Sequence, residues 1–262
     1  MRSPKNKVLR PLIMATVIAL VTCAVLLVLL LINGFKDNIF SKKISNEDSN
    51  ALPSRLLETP DYGQFYLDNL IFVGDKTISP MRDAAVLRDG IDTKQIWTGE
   101  QNSLSLDYST SVATIVFPES GEAIGLSEAL QRKRPDYVVI TLGFENGVAY
   151  CTEEKFKEYY GNLIEEIKES SPDTKIMLQS VFPVSAKKQK DGFGITNDKI
   201  DRANGWIEEL ALSSEVKYLN TVSVLKDSKG NLNPEYDSGD GYTLNAQGYT
   251  AVLDYIRTHG YK

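Results

Sequence analysis

The chain has 262 residues, a formal net charge of −6, a single histidine and two cysteines. So few histidine and cysteine ligands argue against a zinc site, and an acidic chain is a poor candidate for binding nucleic acid, which needs a basic face. No glycine- and lysine-rich phosphate loop is present, so we expect neither nucleotide nor any other cofactor, and no metal.

Residues 12–32 form an uncharged run in which only Thr16 and Thr22 are polar, and which is long enough to cross the hydrocarbon core of a bilayer. Four basic residues and no acidic residue precede it: Arg2, Lys5, Lys7 and Arg10. The positive-inside bias therefore predicts a cytoplasmic N-terminus at 1–11 and a main domain outside the cell membrane. Lysines that follow the run, at positions 36, 42 and 43, weaken this bias.

Two other interpretations of the apolar run are less well supported. A cleavable signal peptide has a shorter apolar core and small residues at its cleavage site, and residues 30–35 offer a poor one. A lipoprotein would use Cys23, but Thr22 is a poor residue before that cysteine and the apolar run continues beyond it. We therefore predict an uncleaved, single-pass transmembrane helix.

Residues 33–60 are polar and mixed in charge, which predicts a juxtamembrane linker, so we expect the folded domain at 61–262. Cys151 is the only cysteine outside the apolar run, and no disulfide is expected. Positions 1–35 hold four of the 29 basic residues and none of the 35 acidic ones. The remaining chain is thus strongly acidic, which gives no reason to expect attraction to anionic polymers or lipid head groups.

Within 61–262, short β-prone runs alternate with longer helical patterns. Strands are predicted at 70–73, 95–98, 137–142, 175–182 and 216–219, and helices near 79–89, 121–133, 153–169, 197–213 and 246–259. This alternation predicts an α/β fold with a doubly wound, flavodoxin-like parallel sheet of about five strands flanked by helices. Two β-like runs at 104–107 and 112–117 predict an inserted β-hairpin.

The segment that follows the first strand reads Phe72-Val73-Gly74-Asp75-Lys76-Thr77. It resembles the first sequence block of the SGNH/GDSL hydrolases, in which Gly-Asp-Ser presents a nucleophilic serine, but Lys76 stands at the serine position. The resemblance also makes Gly99, after the second strand, the candidate for the family's oxyanion-binding glycine. A turn glycine without a role is the alternative.

The central strand ends in Gly143-Phe144-Glu145-Asn146, which is similar to the family's Gly-x-Asn-Asp block. Without a gap, Glu145 takes the place of the asparagine that donates to the oxyanion, and a carboxylate cannot donate unless it is protonated. A one-residue shift restores Asn146 as the donor. Both alignments remain open.

The run Asp240-Gly241-Tyr242-Thr243 resembles the family's Asp-x-x-His block before the last helix, with Thr243 at the position of the catalytic base. The only histidine, His259, lies 16 residues further along, and we interpret it as a residue favoured at the helix C-terminus. Lys76 is expected to be charged and to pair with Asp75, Glu145 or Asp240, and not to act as a nucleophile or base.

The resemblance implies an ester hydrolase whose nucleophile and base are both replaced. We predict a pseudoenzyme that binds a cell-envelope glycan, an acyl group or a partner protein. One alternative is an active esterase or O-acetyl esterase that acts on envelope carbohydrate with a non-standard residue set. Another is a structural or signalling protein of the envelope in which the pocket has no role.

Overall fold

The computed structural model of the chain describes residues 52–107, 113–144, 146–191 and 193–261. The predicted cytoplasmic segment 1–11, the transmembrane helix 12–32 and most of the linker lie outside these residues. Within the described ranges, no helix is both long enough and apolar enough to cross a membrane.

The centre of the domain is a five-stranded parallel sheet with the strand order β2-β1-β5-β6-β7. A separate antiparallel pair consists of β3 and β4. The strands are β1 Leu70–Gly74, β2 Ile96–Trp97, β3 Thr114–Val116, β4 Ala123–Gly125, β5 Tyr137–Thr141, β6 Lys175–Gln179 and β7 Lys217–Leu219. This order reverses direction between β1 and β5, as in a flavodoxin-like sheet, and confirms the predicted α/β class.

Helices cover both faces of the sheet. They are α1 Gly63–Asp68, α2 Leu126–Lys133, α3 Glu153–Ser170, α4 Asn197–Ser213, α5 Val222–Leu225 and α6 Ala246–Arg257. Buried side chains of α2, α3 and α4 pack with one set of strand residues, and those of α1, α5 and α6 with the other. Because alternate strand residues point to opposite faces, both faces of the sheet are buried, which explains its nearly continuous apolar runs.

Two of the predicted helices differ from the structure. Residues 79–89 contain only a one-turn 3-10 helix, Ser79–Met81, followed by turns. Ala85 and Asp89 have φ angles of 54° and 65°, in the left-handed region, and such residues cannot continue a right-handed helix. The helix predicted to begin at 121 begins at Leu126 because residues 123–125 form β4.

The inserted hairpin is present, but with a different partner strand. Its predicted second run contains β3, which pairs with β4 and not with residues 104–107. Leu104 and Leu106 are instead buried in the core, and the Leu104 N–H donates to the Gly74 carbonyl at 3.0 Å. The two leucines of the 104–107 run pack in the core. A local sequence pattern cannot distinguish such packing from strand pairing.

The folded unit begins at Leu52, nine residues before the predicted boundary at position 61. Ser54 and Leu56 exchange backbone hydrogen bonds of 2.9 Å with Tyr218 at the edge of the sheet. Arg55 forms a bidentate ion pair with Glu208, with Nε–Oε1 and Nη2–Oε2 distances of 2.7 and 2.6 Å. The polar composition of this segment predicted a linker because its attachment to the domain depends on backbone hydrogen bonds and an ion pair. Leu56 adds a buried apolar side chain.

Candidate functional site

The first block lies directly beyond the carboxyl end of β1, where the Asp75 carboxylate is buried. Its Oδ1 atom accepts from the N–H and hydroxyl of Thr77 at 3.0 and 2.6 Å, and its Oδ2 atom accepts from the Phe144 N–H at 3.0 Å. Gly74 pairs with Thr141 at the last position of the β1–β5 ladder. Asp75 therefore ties the segment after β1 to the segment after β5.

Lys76 lies between that buried tie and an open cleft. Its N–H donates to the Ser103 hydroxyl at 3.1 Å, which fixes the backbone. Its Nζ atom is 5.2 Å from the ring centroid of Tyr242 and 5.8 Å from that of Phe144. These two rings stack with centroids 5.1 Å apart and an interplanar angle of 15°. An ammonium group is attracted to the faces of such rings, so the predicted charged lysine has a favourable environment here.

The Asp240 and Thr243 positions are joined by direct hydrogen bonds. Asp240 Oδ1 accepts from the N–H groups of Tyr242 and Thr243 at 2.9 and 2.8 Å, and Oδ2 accepts from the Thr243 hydroxyl at 2.7 Å. Burial raises the pKa of the Asp240 carboxyl, but these hydrogen bonds outweigh it and hold the pKa below its usual value. Asp240 is thus an ionised acceptor that holds the Thr243 side chain.

Thr243 is buried, and its hydroxyl cannot act as a general base. Its hydroxyl donates to Asp240 and shares a 2.6 Å hydrogen bond with the Ser238 hydroxyl. A hydroxyl in this chain of donors and acceptors cannot accept a proton from a nucleophile at neutral pH. The loop is therefore held by hydrogen bonds among Asp240, Thr243 and Ser238 and places no base at position 243.

The third block forms the turn after β5. Gly143 has a φ angle of +112°, and a Cβ atom there would lie 2.8 Å from the Phe156 ring, so the position requires glycine. The Asn146 amide donates to the Ser105 hydroxyl at 3.1 Å and to the Asp107 carboxylate oxygens at 3.3 and 3.4 Å. Glu145 lies outside the described residues. The choice between Glu145 and Asn146 as the aligned donor therefore stays open.

Gly99 follows β2 and lines the cleft, as its predicted position requires. A Cβ atom on Gly99 would lie 2.4 Å from the Ser103 carbonyl oxygen, so close backbone packing is sufficient reason for a glycine here. The oxyanion role of Gly99 stays a prediction.

The cleft has a volume of about 870 Å³ and is open to solvent. Among the predicted residues it is lined by Lys76, Gly99 and Asn146, whereas Gly74, Asp75, Gly143, Asp240 and Thr243 are not part of its lining. Tyr242 connects the two groups, because it follows Asp240 in the chain and lies beneath the Lys76 ammonium. The structure thus brings the first, third and fifth blocks together around one cleft.

Several residues that line the cleft were not identified from the sequence. They are Phe144, Tyr150, Lys188, Phe193 and Tyr242, together with Ser103 and Ser105. The positions of Phe144 and Tyr242 inside the third and fifth blocks could have indicated them. Lys188 and Phe193 come from the loop after β6, which contains none of the family's sequence blocks discussed above.

His259 is remote from this cleft, as predicted. It lies beyond the end of α6, where its ring stacks on Tyr255 with centroids 3.7 Å apart. Since α6 has 12 residues, its two ends are separated by about 18 Å at about 1.5 Å per residue. No group of three or more histidine, cysteine, aspartate or glutamate side chains in the described part of the chain could hold a metal ion.

Solved structures of other proteins resemble this chain over most of its length. Similar solved structures include the periplasmic domain of a lipopolysaccharide acetyltransferase from Salmonella ser. Paratyphi A, with 15% identity, a TM-score of 0.48 and coverage of 72% of this chain and 82% of that one. A GDSL-like lipase from Bacteroides thetaiotaomicron has 18% identity, a TM-score of 0.45 and coverage of 82% and 93%. No curated protein sequence matches the chain.

A family model described as the GDSL-like Lipase/Acylhydrolase family matches residues 93–251, which is more than half of the chain. The structural similarities have TM-scores below 0.5, so the assignment rests on this sequence match. The match includes the third and fifth blocks and excludes Gly74, Asp75 and Lys76, which precede it. The chain belongs to the GDSL-like lipase/acylhydrolase family.

Proposed function

We propose that this protein is a membrane-anchored, extracytoplasmic GDSL-like domain that has lost ester hydrolysis and uses the strand-end cleft to bind a ligand. The observation that carries the proposal is the joint replacement at positions 76 and 243 within an intact hydrogen-bonded framework. Asp75 and Asp240 both accept hydrogen bonds from neighbouring groups, while the two positions that would exchange a proton hold a lysine and a threonine.

Lys76 is a poor substitute for a serine nucleophile in this environment. A lysine acts as a nucleophile only when its amine is neutral, and burial in an apolar pocket is the usual way to achieve this. Lys76 is only partly buried and its Nζ atom lies against two ring faces, an arrangement that favours the ammonium form. Loss of a triad serine or histidine typically lowers turnover by about a million-fold.

Esterase assays test the loss of catalysis. We expect the wild-type protein to hydrolyse p-nitrophenyl acetate and acetylated xylan no faster than the Lys76→Ala variant does. Turnover clearly above background in the wild type, and its loss in Lys76→Ala, would contradict the proposal and favour the second candidate.

Restoring the missing groups gives a positive test. Asp240 Oδ2 is already placed to accept a hydrogen bond from a side chain at position 243. We therefore expect the double variant Lys76→Ser/Thr243→His to gain at least about a hundredfold in p-nitrophenyl acetate hydrolysis, which is a small part of what a complete triad supplies. The single variant Lys76→Ser is the control, and it should remain at background because it has no base.

The second candidate function is an active esterase with a non-standard residue set. It is favoured by the family membership and by the hydroxyls of Ser103 and Ser105, which line the same cleft. If the wild type is active, Ser103→Ala and Ser105→Ala identify the nucleophile. Equal activity in both variants and the wild type would exclude these hydroxyls.

The membrane anchor is supported by the apolar run at 12–32 and its basic flank. We expect the full chain to remain in the membrane fraction after carbonate extraction, and a chain that begins at Leu52 to be released. Protease added to the outside of intact cells should degrade the domain of the full chain. Protection of the domain until the cells are lysed would reverse the proposed orientation.

A further inference from the structure

Two aromatic side chains with large exposed surfaces stand at the cleft. Tyr150 is 74% exposed and Phe193 is 64% exposed, and both line it. They come from different loops, the turn after β5 and the loop after β6. Burying such rings elsewhere in the molecule would stabilise the fold, so their exposure at a concave site indicates a surface that a ligand covers.

The lining of the cleft also includes side chains that form hydrogen bonds. The hydroxyls of Ser103, Ser105 and Thr114 and the amides of Gln101 and Asn146 line it. Lys188 completes this polar set, with its Nζ atom 5.0 Å from the Tyr242 centroid and 5.1 Å from the Phe193 centroid. The cleft therefore combines exposed aromatic rings with several hydrogen-bond donors and acceptors.

From this combination we propose that the cleft binds a saccharide chain, with sugar rings stacked on Tyr150 and Phe193 and hydroxyl groups bonded to the polar wall. A pyranose ring has an apolar C–H face and a rim of hydroxyls, and both are matched here. This proposal rests on the proposed non-catalytic binding function and selects among its ligand classes.

An acyl chain fits the same cleft less well. It gains about 0.8 kcal/mol for each methylene that leaves water, which requires an enclosed apolar channel. This cleft is open, and a chain lying in it would cover the hydroxyls, amides and lysines without satisfying them. A protein partner would need a contact surface of about 800 Å² on each side, far more than one concave cleft offers.

Titration calorimetry with the domain from Leu52 onward tests the proposal, with chitotetraose, cellotetraose and tetragalacturonate as saccharide probes and decanoate as the acyl probe. We expect at least one tetrasaccharide to bind with a dissociation constant of about 1 mM or tighter, and decanoate not to bind. Failure of all three saccharides to bind, or binding of decanoate alone, overturns the proposal.

Matched variants locate the binding. Phe193→Ala and Tyr150→Ala should each weaken the tetrasaccharide at least about fivefold. Phe65→Ala removes an 82% exposed phenylalanine of α1, away from the cleft, and should leave the affinity unchanged. Lys188→Met should weaken binding, whereas Lys190→Met, on the same helical turn but outside the lining, should not. Equal affinity of all five variants and the wild type overturns the assignment of this cleft.

The result of the esterase assays is independent of the result of these binding measurements. Ester turnover with saccharide binding would remove the non-catalytic function but keep the ligand class. Absence of turnover without saccharide binding would remove the ligand class and keep the loss of catalysis.

Discussion

Asp75 and Lys76 are neighbours in the chain but belong to two different regions of the molecule. Asp75 is part of a buried framework, in which its carboxylate holds Thr77 and the Phe144 N–H, and the Tyr249 hydroxyl donates to the Thr77 carbonyl at 2.6 Å. Lys76 belongs to the cleft surface, with Tyr242 beneath its ammonium group. The comparison separates a buried, hydrogen-bonded framework from the side chains that face the cleft.

The physical reason is that the two regions respond to different requirements. A buried carboxylate and the donors around it lose stability together if any one is removed, so the framework is maintained by folding itself. A side chain in an open cleft contributes little to stability and is retained only for what it binds or catalyses. Four substitutions test this division.

Asp75→Ala should lower the free energy of unfolding by about 3 kcal/mol or more, because it leaves two N–H groups and one hydroxyl in the interior without an acceptor. Urea unfolding followed by circular dichroism measures this. The exposed Asp83, on the turns after β1, is the matched control, and Asp83→Ala should cost less than about 0.5 kcal/mol. Equal effects of the two substitutions on the free energy of unfolding would contradict the structural role of the Asp75 carboxylate.

Tyr249→Phe should cost about 1–2 kcal/mol at neutral pH, since it removes the hydrogen bond to the Thr77 carbonyl from a buried site. Burial also raises the pKa of the Tyr249 hydroxyl. Because the unfolded state ionises first, the stability that Tyr249 contributes is complete below about pH 10 and is lost as the pH rises further. Alkaline unfolding should therefore be less steep in Tyr249→Phe, though not absent, because burial also raises the pKa of Tyr66 to about 12.

Thr243→Val should cost about 1 kcal/mol at pH 7, because the Asp240 carboxylate loses one of its donors while the side-chain shape is kept. The pKa of Asp240 is lowered in the folded state, so the stability that it contributes is present above about pH 4 and is lost as the pH falls. The difference between wild type and Thr243→Val should consequently shrink on acidification. A difference that grows below pH 3 would show that Asp240 is not the partner that matters.

Lys76→Met should change the free energy of unfolding by less than about 1 kcal/mol, the range of a cation–π contact at a partly exposed site. Thermal unfolding at low and high salt measures it. A cost comparable to that of Asp75→Ala would place Lys76 in the framework and remove the distinction between the two regions.

The framework was much more predictable from the sequence than the cleft surface. The range of α4 was predicted as 197–213 and observed as Asn197–Ser213, because apolar periodicity and a capping threonine define it locally. The blocks around Asp75 and Asp240 were recognised by their resemblance to the family's motifs, the first after a strand and the second before the last helix. The predictions that were wrong concerned contacts between distant parts of the chain, such as the pairing of β3 with β4 and the attachment of residues 52–60.

The cleft surface depends on side chains from loops that carry no periodic signal. Phe193 and Tyr150 read as ordinary loop aromatics in the sequence, and only the folded chain places them on one cleft. Lys188 likewise reaches Tyr242 from the loop after β6.

The attachment of Ser54–Leu56 to β7 has a consequence for the behaviour of the domain in solution. β7 is the terminal strand of the five-stranded sheet, and an unpaired terminal strand is a template on which a second chain can assemble. Backbone bonds from Ser54 and Leu56 occupy Tyr218 at this edge. Residues 52–60 therefore protect the domain against edge-to-edge aggregation, and a protein shortened to residue 61 would lose that protection together with the Arg55–Glu208 ion pair.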